Sequence, residues 1–135
     1  MSAERVRTTL EEYMEALAAR GDYGRYFADD MDFAIMGTDQ QSRGARAAED
    51  AIRYLHEIAF DAAPEVANLL ADDRGGALEA VFVGSHIGEF AGVGATGNEV
   101  RVPYSVFYDV DADKITALRI YMGMDQLLAQ IGQPS

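Results

Sequence analysis

The chain has 135 residues, enough for one domain with its own core. Apolar residues make up 49% and charged residues 25%, an ordinary globular balance. A formal net charge of −12 disfavours phosphate backbones and anionic lipid, and the lack of cysteine excludes disulfides, thiolate metal sites and cysteine nucleophiles.

Ser2 caps a first helix in which Val6, Leu10, Tyr13, Met14 and Leu17 recur at helical spacing, and Gly21 ends it. A short helical turn over Tyr23 to Phe27 leads into a strand from Met31 to Met36. Gly37 to Gly44 is polar and reads as a loop. A second helix runs from Ala47 to about Ala59, with Ala48, Ile52 and Leu55 on one face and Pro64 beyond its end. Val66 to Ala71 reads as a strand, Asp72 to Gly76 as a turn, and Ala77 to Phe90 as a long strand. Val100 to Val110, rich in β-branched and aromatic residues, is another strand. Asp111 to Lys114 turns the chain into a last strand, Ile115 to Met122, and Asp125 to Ile131 is a closing helix. Helices first and antiparallel strands after predict one α+β domain over residues 1–135, with no βαβ unit. Met1 to Arg7 is polar and no long apolar run follows, so neither leader nor membrane span is expected. The expectation is a cytoplasmic protein without nucleic-acid or membrane partners.

Gly92 to Gly97 spells G-x-G-x-x-G, but the dinucleotide fingerprint needs that loop to open a helix. Here Glu99 to Val110 reads as strand, and nucleotide binding is set aside. His56 and His86 lack the further ligands a metal site needs. His56 lies mid-helix and is expected half-exposed. His86 shares a strand face with Leu78, Ala80, Phe82, Gly84, Gly88 and Phe90, an apolar face whose glycines let a ligand approach. It is read either as a general base or donor, or as a core histidine with a satisfied partner. Arg119, Tyr121 and Gly123 share one face of the last strand, opposite Leu118, Ile120 and Met122. Arg119 could hold a substrate oxygen or pair with an acid at the surface. Asp125 is read as the N-cap of the closing helix. Asp29, Asp30 and Asp32 form a solvated edge, with Asp32 able to point inward. Tyr13, Tyr26, Tyr104, Phe82, Met31, Met36 and Met122 are candidates for cavity walls, although such residues also serve as plain core.

In this order the residues resemble the SnoaL-like polyketide cyclases of the nuclear-transport-factor-2-like superfamily. The pattern covers almost the whole chain: Tyr13 in the first helix, Tyr26-Phe27-Ala28-Asp29-Asp30, Arg43-Gly44 before Ala47-Ala48-Glu49, and a bend at Ala62-Ala63-Pro64-Glu65. Its most specific stretch is Gly84 to Phe90 with Gly92, Ala95-Thr96-Gly97 and Val100, and it closes on Asp125 to Leu128 and Gln130-Ile131-Gly132. The resemblance implies a cone-shaped barrel, a curved antiparallel sheet with the N-terminal helices on its concave face. It further implies a homodimer, an apolar cavity for a small apolar or aromatic ligand, and ring closure by acid–base chemistry without metal or organic cofactor. The family's acid/base aspartate falls on Gly123, and the ketosteroid-isomerase acids fall near Ala34 or Ile35 and near Ser105.

The expected catalytic set is therefore His86, Arg119 and Tyr121, with Tyr13, Tyr26, Asp32, Met36, Phe82 and Tyr104 as substrate-binding residues. Two other readings stay open: a noncatalytic binder of a hydrophobic metabolite, and a dimerisation module with a filled cavity. Apolar content on both faces of Val100 to Val110 places the expected dimer contact on the outer face of the sheet.

Overall fold

The computed structural model describes residues 2–132. Helix α1 spans Ala3–Ala18, with the Ser2 hydroxyl accepting the Arg5 N–H at 3.1 Å as its cap. Its stripe of Val6, Leu10, Tyr13 and Leu17 is buried, and Arg20 in left-handed conformation (φ 55°) ends it ahead of Gly21. A 3-10 turn, Tyr23–Tyr26, precedes strand β1, Phe27–Ile35. The stretch expected to be loop holds a short strand, β2, Gln41–Arg43. Helix α2, Ala45–Arg53, runs on into a π-helical turn, Tyr54–Ile58, closed by the Ala59 N–H on the Tyr54 carbonyl at 2.8 Å. Arg53 binds Glu49 (3.0 Å) and Glu57 (2.8 Å) one turn away on each side, and its guanidinium lies 4.6 Å from the centre of the Tyr23 ring.

Four strands follow: β3 Phe60–Ala71, β4 Gly75–His86, β5 Glu99–Asp111 and β6 Lys114–Met122, before helix α3, Met124–Gly132. They form one six-stranded sheet in the order β2-β1-β6-β5-β4-β3. Four of its five pairings are antiparallel and β1 runs parallel to β6, so the sheet is mixed, with free edges at β2 and β3 rather than a closed barrel. The domain is α+β as expected. One correction concerns Ala62 to Glu65, which lies inside β3 and is no bend. Pro64 is tolerated there because β3 is an edge strand. A second concerns the long strand, which stops at His86. The Ile87 and Gly88 N–H groups turn away to the Ala59 carbonyl (2.9 and 3.0 Å), and a Cβ at Gly88 would collide with the Ile58 carbonyl.

Strand alternation divides the sheet into two faces. On the inner face Leu78, Ala80, Phe82, Val102, Val106, Tyr108, Leu118 and Ile120 are buried under α1, α2 and α3. On the outer face, which no helix packs against among the described residues, Leu70, Phe107 and Tyr121 remain exposed.

Candidate functional site

The inner face carries two imidazoles. His86, at the end of β4, is fully buried, and its ring lies 5.3 Å from that of Phe60. Its Nδ1 accepts the Thr96 N–H at 3.2 Å and lies 2.9 Å from the Thr96 hydroxyl. That bond clasps the loop from Ile87 to Asn98, because Gly97 N–H also binds the His86 carbonyl and His86 N–H binds the Asn98 carbonyl. Accepting at Nδ1 leaves the ring proton on Nε2, which is buried without a partner. His56 is the reverse case. Its Nδ1 faces the Ile52 carbonyl at 2.8 Å, so the proton sits on Nδ1, and Nε2 is a bare acceptor, buried and unpartnered. Burial holds its pKa below the usual value, more than the Ile52 carbonyl and Glu57 raise it. His56 is part-exposed, as expected, with its Nε2 edge buried and its ring edge-on to Phe82 at 5.5 Å.

The expected constellation does not assemble. Arg119 and Tyr121 lie on the outer face, where Arg119 binds Asp109 through its two terminal guanidinium nitrogens (3.1 Å each) and Tyr121 packs edge-on against Phe107 at 5.7 Å. The physical reason is amphipathic: Leu118 and Ile120 take the core side of β6, which sends the alternate residues out. Asp32 is likewise outward, paired with Arg43 at 3.6 Å, and Met36 is exposed beside it. Tyr26 lies in a charged groove at the start of α1, with the Arg25 guanidinium 4.9 Å from its ring centre. Tyr13 is core, ringed by Tyr23, Tyr26, Phe27 and Tyr108 at 5.5–6.5 Å. Phe82 and Tyr104 do face inward, 6.3 Å apart. Burial pushes the Tyr104 hydroxyl well up, so it stays a donor.

A cavity of about 630 Å³ opens elsewhere on the inner side, between the end of β1, the α2–π helix, the loop after β4 and the start of α3. Its walls are apolar: Phe33 and Ile35 from β1, Leu55 from the π turn, Phe90 from the loop, Met124 and Leu128 from α3. Tyr54 stacks on Phe90 at 6.5 Å and donates its hydroxyl to the Glu89 carbonyl, which fixes this wall. Asp39, Gln40, Thr38 and Asp50 give the mouth its polar edge. Asp50 is paired with Arg46 at 3.7 Å, whereas Asp39 has no ion-pair or hydrogen-bond partner among the described residues. The turn carrying Asp39 is held by Ile35 N–H on the Gln40 carbonyl (2.9 Å) and by the Thr38 hydroxyl on the Ile35 carbonyl (2.7 Å). None of the nine expected site residues lines this cavity. Its walls come from the apolar stripes of four separate elements, and only their convergence in space makes them a site. Asp39 carried no signal in its polar loop.

Gly123 precedes α3 as its cap, with the Leu127 N–H on its carbonyl at 3.1 Å; Asp125 is therefore in the first turn and not the cap. A Cβ at Gly123 would meet the exposed Gln126 side chain at 3.1 Å. The glycine-rich Gly92 to Gly97 opens no helix and leads into β5. Among the described residues no group of three or more His, Asp or Glu side chains is placed to hold a metal ion, and no helix is long and apolar enough to cross a membrane.

Solved structures share this fold. A protein described as a SnoaL-like polyketide cyclase from Jannaschia sp. CCS1 superposes with a TM-score of 0.88 at 17% identity, over 98% of this chain and 95% of its own. A protein described as a polyketide cyclase from Xanthomonas campestris gives 0.84 at 18%, over 96% and 98%. An epoxide hydrolase of M. tuberculosis, described as LEH-like, gives 0.74 at 17%, over 96% and 90%. No curated protein matches the chain. The SnoaL-like polyketide cyclase model matches residues 5–131, and the chain belongs to that family.

Proposed function

We propose that the chain is a cofactor-free acid–base enzyme for an apolar, ring-bearing, polyketide-like small molecule bound in the cavity between β1, the π turn and α3. One observation carries the reading: apolar walls on all sides of a cavity whose mouth holds one unpaired carboxylate, Asp39. Its volume falls within the range of small-molecule sites. Asp39 would draw a proton from a carbon beside a ligand carbonyl. The resulting enolate carbon would bond to a second carbonyl carbon, whose alkoxide oxygen takes a proton back. His86 has a positioning role in this reading, holding through Thr96 the loop that carries Phe90.

Gly123, where the family's aspartate falls, favours a second reading in which the cavity binds and does not turn over. The experiment is a cyclisation assay on a polyketide-like aldol substrate with the natural protein, Asp39→Asn and Gly123→Asp. The first reading expects turnover that falls about 10²–10⁴-fold in Asp39→Asn and no gain in Gly123→Asp, whose carboxylate would point toward Gln126. Binding without turnover in the natural protein would select the second. We also infer a homodimer through the outer sheet face, supported by exposed Leu70, Phe107 and Tyr121. A cytoplasmic location accords with the cysteine-free sequence.

A further inference from the structure

Among the described residues four buried side-chain polar atoms lack a partner, and two of them, Nε2 of His56 and Nε2 of His86, belong to one run of aromatic contacts. The run goes His56–Phe82 (5.5 Å), Phe82–Phe60 (5.3 Å), then Phe60 to both His86 (5.3 Å) and Phe90 (5.2 Å). Phe90 is also a wall of the cavity, as are Tyr54 and Leu55, the two residues before His56 on the π turn. A buried acceptor left bare costs roughly what a lost hydrogen bond costs, so such atoms in folded proteins mark a water or ligand position. π-helical turns recur at functional sites, and His56 lies on this one.

We propose that His56 is a ligand-contacting residue: its Nε2 accepts a hydrogen bond from a phenolic or enolic hydroxyl on the inner end of a ring ligand that extends past Phe90. The assignment rests on the cavity reading above and adds to it the chemistry of the ligand's buried end. The role is that of an acceptor, because the Ile52 carbonyl fixes the proton on Nδ1. The charged side chains bearing on the ring are Arg20, from the end of α1, and Glu57, from its own turn; they oppose each other. Tyr104, across Phe82 from His56, keeps its hydroxyl proton and supplies the complementary donor for a neighbouring ligand oxygen.

The test compares 2-naphthol with 2-methoxynaphthalene, the same rings without the donor, on the full chain and on His56→Phe. We expect the natural protein to prefer 2-naphthol by roughly five- to tenfold, the worth of one net hydrogen bond. His56→Phe should lose that preference while binding 2-methoxynaphthalene as before. Equal binding of both probes by the natural protein, or a preference that survives in His56→Phe, overturns the His56 assignment and leaves the cavity reading standing. Binding of neither probe overturns the cavity reading itself. If His56→Phe does not fold, 15N spectra of the natural protein decide: 2-naphthol should shift the His56 Nε2 resonance and 2-methoxynaphthalene should not. An unmoved Nε2 resonance under saturating 2-naphthol overturns the assignment.

Discussion

A histidine buried against phenylalanine holds its proton less well than it does in the unfolded chain, and that difference is a pH-dependent contribution to stability. His56 has this environment, with burial as the largest cause of its lowered pKa. Its contribution is complete above the unfolded value near 6.5. It is lost as pH falls through that value toward the lower folded one, because the unfolded chain then binds a proton that the folded chain resists. Urea unfolding should therefore show stability dropping between pH 7.5 and 5.5. The drop should shrink in His56→Phe; an equal drop in that variant would place its origin elsewhere. At this scale the sequence was legible in part. Alternation alone put His86 on the buried face of its strand. The same alternation grouped Arg119 with Tyr121 correctly but could not say which face looked inward, although Leu118, Ile120 and Met122 on the other side carried the answer. The buried Nε2 of His56 was hidden for a different reason: the π turn breaks the 3.6-residue period by which its helix was read.

Elements were easier to read than residues because each repeats its pattern many times. The first helix, β5, β6 and the closing helix lie close to their expected bounds, whereas β3 begins at Phe60 and not at Val66. The ends that moved are set by contacts from distant parts of the chain, such as the Ala59 carbonyl that draws Ile87 and Gly88 out of β4. The β5–β6 hairpin shows local chemistry alone. Its two central residues, Ala112 (φ 49°) and Asp113 (φ 64°), both take the left-handed conformation that a two-residue hairpin turn demands. Alanine there carries a steric cost of about 1 kcal/mol that glycine avoids. Ala112→Gly should accordingly raise the unfolding midpoint by a few degrees in a thermal melt. A lowered midpoint would mean that the turn is not strained at this residue.

For the whole molecule, the α+β class followed from helix-then-strand order, whereas the parallel β1–β6 pairing did not, because strand direction depends on how the chain crosses the sheet. The outer face of that sheet leaves Phe107 and Tyr121 exposed beside the Asp109–Arg119 pair. A homodimer across it should sediment as such at micromolar concentration and strengthen with salt, since two chains of −12 repel. A monomer at both low and high salt would contradict it. The cavity stands on the other side of the sheet, and the central claim is that it takes an apolar ring ligand. Leu55 and Leu128 both line that cavity, so Leu55→Trp should fill it and Leu128→Glu should place a charge in its wall. The direct measurement is calorimetric titration of the natural protein and both variants with 2-methoxynaphthalene, after circular dichroism has matched their folds. The natural protein should show saturable one-site binding, and each variant should lose at least tenfold in affinity. Binding that both variants retain at full strength would contradict the claim.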